Sequence, residues 1–250
     1  MPETLYIGKN VIELDVVDST NNHASNLISE TKVLEGTVVV AHFQGNGKGQ
    51  RGNSWVSEPG KNLTFSLILK PKQVIPREAF IISKIVSLAI CKYLESIVEE
   101  EVFIKWPNDI YIGKKKVCGI LIENQFKGTT FENAIVGIGL NVNQTNFEGL
   151  HNATSLKLEM KKELELKTVL SHLLKSIEVC YLRLQREGDF NLNDEYLSNL
   201  LFVGEPRRYQ TPKGEIIAKI KNVLSNGQLE LETKEGELKH FDIKEITFVF

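Results

Sequence analysis

Runs of β-branched and apolar residues, bounded by glycine, proline or asparagine, recur along the first 145 residues of the chain. Runs of this length and composition are typical of strands in a sheet. They predict strands at 11–17, 37–42, 63–69, 102–106, 117–123 and 134–141. The first part of the chain is therefore expected to fold around a sheet.

Apolar residues recur at helical spacing in three other segments. Between 77 and 97 these residues are Ile82, Ile85, Val86, Ala89, Tyr93 and Ile97. One face of a helix there should pack on the sheet. The same spacing predicts a long helix at 166–181 and another at 192–201. A shorter helix is expected to end near Glu30, because Asp18 and Ser19 offer oxygens that can cap its first N–H groups.

After residue 203 the pattern changes to short alternating strands separated by glycine and proline. The Asn226-Gly227 pair predicts a hairpin with a type I′ turn, in which both central residues have positive φ. This spacing is typical of a small all-β module. The chain as a whole is predicted to be α+β, with two domains at 1–202 and 203–250.

Composition and charge narrow the function classes. The net charge is -2 and the pI is near 6.3, so the chain lacks the positive field that drives nonspecific nucleic-acid binding. Three distant cysteines without a CxxC argue against a disulfide framework and a zinc site. Neither an export signal nor a membrane-spanning apolar stretch is present in the sequence. We expect a cytoplasmic protein that does not bind a membrane.

A glycine-rich loop, GNGKGQRG at 45–52, is the first candidate for chemistry. Its glycines free the backbone to approach an anion, and Lys48 and Arg51 supply positive charge. No GK[ST] closes the loop, and it runs through Trp55 toward a strand, so it matches neither a Walker loop nor a dinucleotide fingerprint. By itself the loop is equally consistent with a flexible basic surface segment.

A second motif, KWPND at 105–109, is followed by Lys116 and Gly119. A lysine beside a glycine at a strand end can stabilise a negatively charged tetrahedral or pentacoordinate centre. Structural roles are also open, because Trp106 could belong to the core. Asn108 and Asp109 could cap the turn beside the proline.

Two further polar motifs are DSTN at 18–21 and GIGLNVN at 137–143. The first can cap a helix and can also grip the polar head of a small ligand. In the second, Asn141 and Asn143 point the same way, and carboxamides suit adenine, ribose or metal-bound phosphate. Read alone, the second motif is a turn. The sequence has no GxSxG, HExxH or paired His and Cys spacing, so covalent and protein-bound metal chemistry are not expected.

Taken in order, DSTN, GNGKGQRGNSW, KWPNDIYIGKKKVCGILIE and GIGLNVN resemble the catalytic domain of biotin–protein ligases of the bacterial BirA type. Each motif is weak alone, but the four in register are specific. The β-rich end is similar to the SH3-like C-terminal domain of that family. The resemblance implies a class II synthetase-like catalytic domain at 1–202, with a mixed, largely antiparallel sheet, and an SH3-like domain at 203–250.

The resemblance implies that biotin is activated with ATP to biotinyl-5′-AMP. The biotinyl group would then pass to a lysine of the biotin carboxyl carrier protein of acetyl-CoA carboxylase or of another biotin-dependent carboxylase. Mg²⁺ would be carried mainly by ATP, with no metal ligand assigned in the chain. Relatives often dimerise through the catalytic sheet, which leaves a homodimer open.

The family's site residues fall on specific positions of this chain. Those implied for biotin are Ser19, Thr20, Asn21, Gln44, Gly47, Arg51, Lys116 and Gly119. Those implied for the nucleotide are Lys48, Gly49, Arg51, Gly52, Trp55, Asn108 and Asn141. The implied catalytic residues are Lys116, Arg51 and Asp109, of which Asp109 would orient the incoming amine. The hypothesis requires Ser19, Arg51, Lys116 and Asn141 to face one pocket.

Two departures from the family pattern matter. The family's loop usually reads GRGRRGR, whereas Lys48, Gln50 and Asn53 here replace three arginines. The loop therefore carries less charge. Since the resemblance implies that this loop retains the adenylate, we expect either leakier retention or a different loop-closing equilibrium. The chain also begins almost directly at the catalytic domain, which leaves no room for an N-terminal helix-turn-helix, so specific DNA binding is not expected.

Three other function classes stay open. A lipoate or octanoate ligase shares the broad fold family, although the polar DSTN turn fits a ureido ring better than an alkyl chain. A nucleic-acid-binding module would use the basic loop and the Lys114-Lys115-Lys116 run, against the acidic net charge. A noncatalytic biotin-binding protein would bind biotin without consuming ATP.

Overall fold

The larger of two sheets contains seven strands. The computed structural model describes residues 3–150, 152–188 and 191–249, except for the side chain of Arg51. The strands are β1 (Val11–Val17), β2 (Val38–Gln44), β3 (Leu63–Leu69), β4 (Val102–Lys105), β5 (Asp109–Ile112), β6 (Lys115–Lys127) and β7 (Thr130–Leu140). Their spatial order is β1-β2-β3-β7-β6-β5-β4, with β1 and β2 parallel and the other neighbours antiparallel. The predicted mixed, largely antiparallel sheet is confirmed.

Helices cover both faces of this sheet. They are α1 (Thr20–Glu30), α2 (Phe80–Glu95), α3 (Leu156–Met160), α4 (Leu166–Glu187) and α5 (Leu192–Ser198). On one face Ala24 of α1 packs with Val39 and Ile68. On the other face α2 and α4 pack over the main core, which contains Phe65 and Ile177. Side chains alternate along a strand, so β3 contributes to both layers.

The chain ends in a second, five-stranded antiparallel sheet. Its strands are β8 (Arg207–Thr211), β9 (Gly214–Val223), β10 (Leu229–Thr233), β11 (Leu238–Phe241) and β12 (Thr247–Phe248). Tyr209 and Leu229 join the main core. The indole N–H of Trp106 donates to the carbonyl of Gly227 at 3.0 Å, which ties the turn after β9 to the loop after β4. A domain boundary at 202–203 stays a prediction.

Two local predictions are wrong, and β5 and α3 were not predicted. Ser19 occupies the N-cap position of α1, but its side chain makes no capping hydrogen bond. The N–H of Thr20 instead donates to Oε1 of Gln44 on β2 at 2.8 Å, so the acceptor comes from a distant strand. The turn after β9 is not type I′. That turn needs positive φ at both central residues, whereas φ is positive at Gly227 and not at Asn226.

The predicted helix at 77–97 exists, but α2 begins only at Phe80, after one 3-10 turn at Pro76–Glu78. Proline cannot donate an N–H and suits this short entry turn. Among the described residues, no helix combines the length and apolar character needed to cross a bilayer.

Candidate functional site

A cavity of about 240 Å³ lies at the N-terminal end of α1, on the sheet face that α1 covers. Its walls come from the start of α1, the end of β2, the glycine loop, strands β5 to β7 and the end of β12. The predicted site residues that line it are Ser19, Thr20, Asn21, Gln44, Lys48, Gly49, Trp55, Asn108, Asp109, Lys116 and Gly119. Motifs that are far apart in the sequence therefore meet in one place.

The floor of the cavity is a glycine-bearing part of the sheet. Gly119 on β6 lies opposite Gly139 on β7, and the indole of Trp55 rests on both. A Cβ on Gly139 would lie 2.6 Å from Cζ2 of Trp55, and one on Gly137 would lie 3.0 Å from Cγ of Asn21. Residues two apart on a strand share a face. The motif GIGLNVN therefore serves close approach of two side chains, and not a turn as the sequence alone indicated.

Uncharged side chains form one end of the cavity. Ser19, Thr20 and Asn21 are each at most 3% exposed. Oε1 of Gln44 accepts a hydrogen bond from the N–H of Thr20. The NH₂ group of the same carboxamide therefore points away from Thr20 and can donate to another group. This end suits a neutral ligand that carries both N–H and C=O groups.

An ion pair lies further along the cavity. Nζ of Lys116 is 2.7 Å from Oδ1 of Asp109, and the two side chains are 32% and 19% exposed. The ammonium also lies 5.6 Å from the ring centroid of Trp55. Charges interact more strongly in a partly buried site than in water. An anion that enters can replace Asp109 as the partner of Lys116, and this exchange would free the carboxylate to accept a proton.

The glycine loop folds as a short hairpin over the cavity. The N–H of Gly49 donates to the carbonyl of Asn53 at 2.7 Å, around a 3-10 turn at Gln50–Gly52. Nζ of Lys48 donates to Oδ1 of Asn22 on α1, which ties the loop to the helix. Lys48 therefore holds the loop against α1 while it lines the cavity.

Two further spaces adjoin the cavity. A cleft of about 1080 Å³ shares Trp55 and Lys116 with it. Asn141 faces this cleft, and its Nδ2 donates to the carbonyl of Thr154 at 2.9 Å. A crevice of about 210 Å³ shares Asn108 with the cavity on another side.

The crevice is lined by neutral residues among those that the structure describes. Two of its polar atoms, Oγ of Ser87 and Oδ1 of Asn124, are buried without a hydrogen-bond partner in the described part of the chain. Most buried polar atoms in folded proteins have a partner. A bound water molecule or the hydrogen-bonding edge of a neutral ligand would satisfy these two atoms.

Burial also sets the ionisation of two residues near the ion pair. Burial raises the pKa of the Cys118 thiol far above its usual range, although Lys116 opposes the shift. A thiol in this state does not supply the thiolate that nucleophilic catalysis needs. Burial, aided by the charge of Asp109, raises the pKa of Tyr111 to about 12.

Four predicted site residues do not place a described side chain in the cavity. Gly47 and Gly52 belong to the glycine loop outside the lining, and Asn141 faces the adjoining cleft. The side chain of Arg51 lies outside the described residues, so its catalytic and binding roles stay predictions. Of the four residues required to face one pocket, Ser19 and Lys116 share the cavity, and Asn141 shares the cleft with Lys116.

Sequence reasoning missed Ser66 and Glu123, which lie behind Asn21. Oγ of Ser66 is 2.6 Å from Oδ1 of Asn21, and Nδ2 of Asn21 donates to Glu123 at 2.7 Å. The available signal was a polar residue beside a run of apolar residues. Ser66 interrupts LTFSLIL, and Glu123 follows GILI.

Most of the chain is similar in sequence to known protein ligases. Residues 13–141 match the Biotin/lipoate A/B protein ligase family. The chain is 32% identical over 238 residues to the bifunctional ligase/repressor BirA of Bacillus spizizenii, covering 94% of this chain and 73% of that protein. It is 28% identical over 236 residues to the protein of the same name from Escherichia coli, covering 93% and 72% of the two chains.

The fold is similar to that of a biotin protein ligase from Aquifex aeolicus solved in complex with biotin and ATP. The TM-score is 0.79 at 32% identity, and the match covers 96% of this chain and 98% of that chain. The α+β fold class with a second C-terminal sheet is therefore confirmed.

Replacing Gly139 by alanine should displace the Trp55 indole, because the new methyl group would overlap the ring. We expect longer-wavelength tryptophan emission, stronger acrylamide quenching and a loss of about 1–3 kcal/mol of unfolding free energy, the usual range for overpacking. Gly45→Ala is the matched control, since a Cβ there would meet only the carbonyl of Val17 at 3.9 Å. Unchanged emission in Gly139→Ala would contradict the position of Trp55.

Proposed function

The chain belongs to the biotin/lipoate A/B protein ligase family, and from this premise we propose that it activates biotin with ATP and transfers the biotinyl group to a lysine of a carrier domain. One observation carries the proposal. A single cavity joins an uncharged polar end, which suits a ureido ring, to a lysine–aspartate pair, which suits anionic chemistry. A ligase for two anionic substrates needs both properties in one place.

The polar end is the proposed site for the ureido ring of biotin. Ser19, Thr20 and Gln44 supply hydroxyl and carboxamide groups, which match the N–H and C=O groups of a cyclic urea without adding charge. The bicyclic ring would lie along the glycine floor near Gly119. The valeryl chain would then lead its carboxylate toward Lys116.

The nucleotide is proposed to lie between Lys116 and the neutral crevice. Oγ of Ser87 and Oδ1 of Asn124, which have no hydrogen-bond partner in the described part of the chain, offer with Asn108 the neutral donors and acceptors that a nucleobase uses. The phosphates would then reach the basic part of the site at Lys48 and Lys116. Mg²⁺ is proposed to arrive bound to the phosphates of ATP, with no metal ligand assigned in the chain.

The proposed chemistry has two steps. The biotin carboxylate attacks the α-phosphorus of ATP, the bond to the β-phosphate breaks, and biotinyl-5′-AMP and pyrophosphate form. The acceptor amine then attacks the carbonyl of the mixed anhydride, AMP leaves, and an amide forms. Lys116 would offset the negative charge on the non-bridging oxygens. Asp109, released from Lys116 by the incoming anion, would accept the proton of the amine.

Positioning is the main contribution of such a site, since the chain need supply no covalent group. Holding a carboxylate and a phosphate in line can contribute roughly 7–11 kcal/mol at best. The biotin carboxyl carrier protein of acetyl-CoA carboxylase, or of another biotin-dependent carboxylase, is the proposed acceptor. We further propose that the protein is cytoplasmic and forms a homodimer.

The deciding experiment is incubation of the protein with biotin, MgATP and a purified carrier domain, followed by intact-mass measurement of that domain. We expect a gain of one biotinyl group that requires ATP. Lipoate and octanoate in place of biotin provide the comparison for the other members of the family. Modification by either of them with no modification by biotin would overturn the proposal.

Lys116→Ala should lower biotin-dependent pyrophosphate–ATP exchange by a factor on the order of 10² or more, because a cation near the developing charge is removed. Lys115→Ala is the matched control. Its side chain is 58% exposed and does not line the cavity. Near-normal exchange in Lys116→Ala would reject the role of this lysine.

Gln50→Arg should slow the escape of the activated intermediate, because it restores a charge that this loop lacks relative to the family pattern. Release of labelled biotinyl-5′-AMP after a single turnover measures the effect. Gln73→Arg adds the same charge at an exposed turn that does not line the cavity and should leave release unchanged. Equal release from the wild type and Gln50→Arg would show that loop charge does not control retention.

A further inference from the structure

Asn21 is fixed by protein partners at the polar end of the cavity. Its Nδ2 donates to Oε2 of Glu123 at 2.7 Å and to the carbonyl of Leu121 at 3.3 Å. A carboxylate and a carbonyl only accept, so the amide can take one orientation. Both amide hydrogens of Asn21 are then used inside the protein, which leaves none to donate to a ligand.

The hydroxyl of Ser66 continues this network in one direction. Its oxygen lies 2.6 Å from Oδ1 of Asn21 and 2.7 Å from Oγ1 of Thr20. Oδ1 of Asn21 cannot donate, so the single hydroxyl proton of Ser66 belongs to that contact. In the contact between Ser66 and Thr20, the donor must then be Thr20.

Thr20 has a second neighbour, Oε1 of Gln44 at 3.1 Å. That oxygen already accepts the N–H of Thr20 at 2.8 Å. Two oxygens without a proton between them repel each other, and the repulsion is greater at 2.7 Å than at 3.1 Å. The hydroxyl proton of Thr20 therefore lies between Thr20 and Ser66. The Thr20 hydroxyl lines the cavity, and with its proton committed to Ser66 it can only accept a hydrogen bond from a ligand.

We propose that Glu123 and Ser66 are positioning and specificity-determining residues, which make the Thr20 hydroxyl an acceptor for a ureido N–H of the ligand. This inference rests on the proposed function. The direction runs from the ligand N–H to Thr20, then through Ser66 and Asn21 to the carboxylate. Glu123 sets that direction without touching the ligand.

The charge of Glu123 gives the network its strength. Hydrogen bonds in a chain polarise one another, and a bond to a carboxylate is stronger than one to a neutral acceptor. The carboxylate of Glu123 accepts a hydrogen bond from the amide of Asn21, so its charge acts directly on the network.

The sheet register leaves room for this arrangement. Ser66 on β3 and Leu121 on β6 both lie opposite Gly137 on β7. The Asn21 side chain lies over Gly137, in the space that a Cβ would fill. Partners on both neighbouring strands are then within reach of one amide.

The inference predicts selection for a ring that carries an N–H donor. A cyclic urea satisfies Thr20, whereas an alkyl chain or a dithiolane leaves this buried acceptor without a partner. An unpaired buried polar group is costly. The same network would therefore separate biotin from lipoate and octanoate within the family.

The test measures biotin affinity by calorimetry, without ATP, in Glu123→Gln, Ser66→Ala and the double variant. Glutamine keeps the shape and an acceptor oxygen but removes the charge, and we expect about fivefold weaker binding. Ser66→Ala should weaken binding about tenfold or more, and the double variant should be no weaker than Ser66→Ala. The KM for ATP should stay within about twofold of the wild-type value. Glu132→Gln, at an exposed position of β7, is the matched control and should bind biotin normally.

The direction of the change in biotin affinity in Glu123→Gln distinguishes an effect through the network from electrostatic repulsion between Glu123 and biotin. Biotin is an anion, so loss of a negative charge would tighten binding if Glu123 acted only through space. Equal or tighter binding by Glu123→Gln would overturn the inference. Additive losses in the double variant would do so as well, because the charge would then act by a route other than Ser66.

Biotin methylated at one ureido nitrogen provides a second measurement. The isomer methylated at the nitrogen that faces Thr20 should bind weakly, with equal affinity for the wild type and Ser66→Ala. The other isomer should still bind the wild type more tightly than Ser66→Ala. This comparison also decides the matter if Glu123→Gln does not fold. Equal sensitivity of both isomers would count against the network. A wild-type protein that binds no biotin would refute the proposed function itself.

Discussion

The site depends on the absence of side chains at three positions of the sheet, Gly119, Gly137 and Gly139. These glycines face the same side, and two larger side chains, Trp55 and Asn21, lie directly on the backbone there. A methyl group at any of them would push these side chains outward. The depth of the cavity is therefore set by the sheet, and the polar groups only line a space that the glycines have opened.

This floor also explains how two kinds of chemistry remain separate in a small volume. Asn21 and Thr20 present only uncharged groups to a ligand at the inner end, because the carboxylate of Glu123 lies behind Asn21 and does not line the cavity. Lys116, which is paired with Asp109, lies over the Trp55 ring and also lines the adjoining cleft. A ligand that is neutral at one end and anionic at the other matches this division, which is the charge distribution of biotin.

The sequence predicted most elements because their periodicity is local. Strands β1 and β3 have the predicted bounds, and the helices α2 and α4 follow from apolar spacing. The failures concern partners from elsewhere in the chain. Gln44 takes the N–H of Thr20 in place of the predicted cap at Ser19, and no local pattern announces such a contact. Tertiary contacts commonly override local preferences in this way.

The same reason separates the site residues that motifs could find from those that they could not. Lys116, Asp109 and Thr20 lie in recognisable motifs, and the structure brings them to one cavity. Ser66 and Glu123 are polar residues beside apolar runs of β3 and β6, and the sequence equally permits such residues to face solvent. Their importance appears only once β3, β6 and β7 are in register, because the hydrogen-bond count around one asparagine then admits one direction. The residue types at the polar end are thus given by the DSTN motif, whereas the direction of their hydrogen bonds is set only by the assembled sheet.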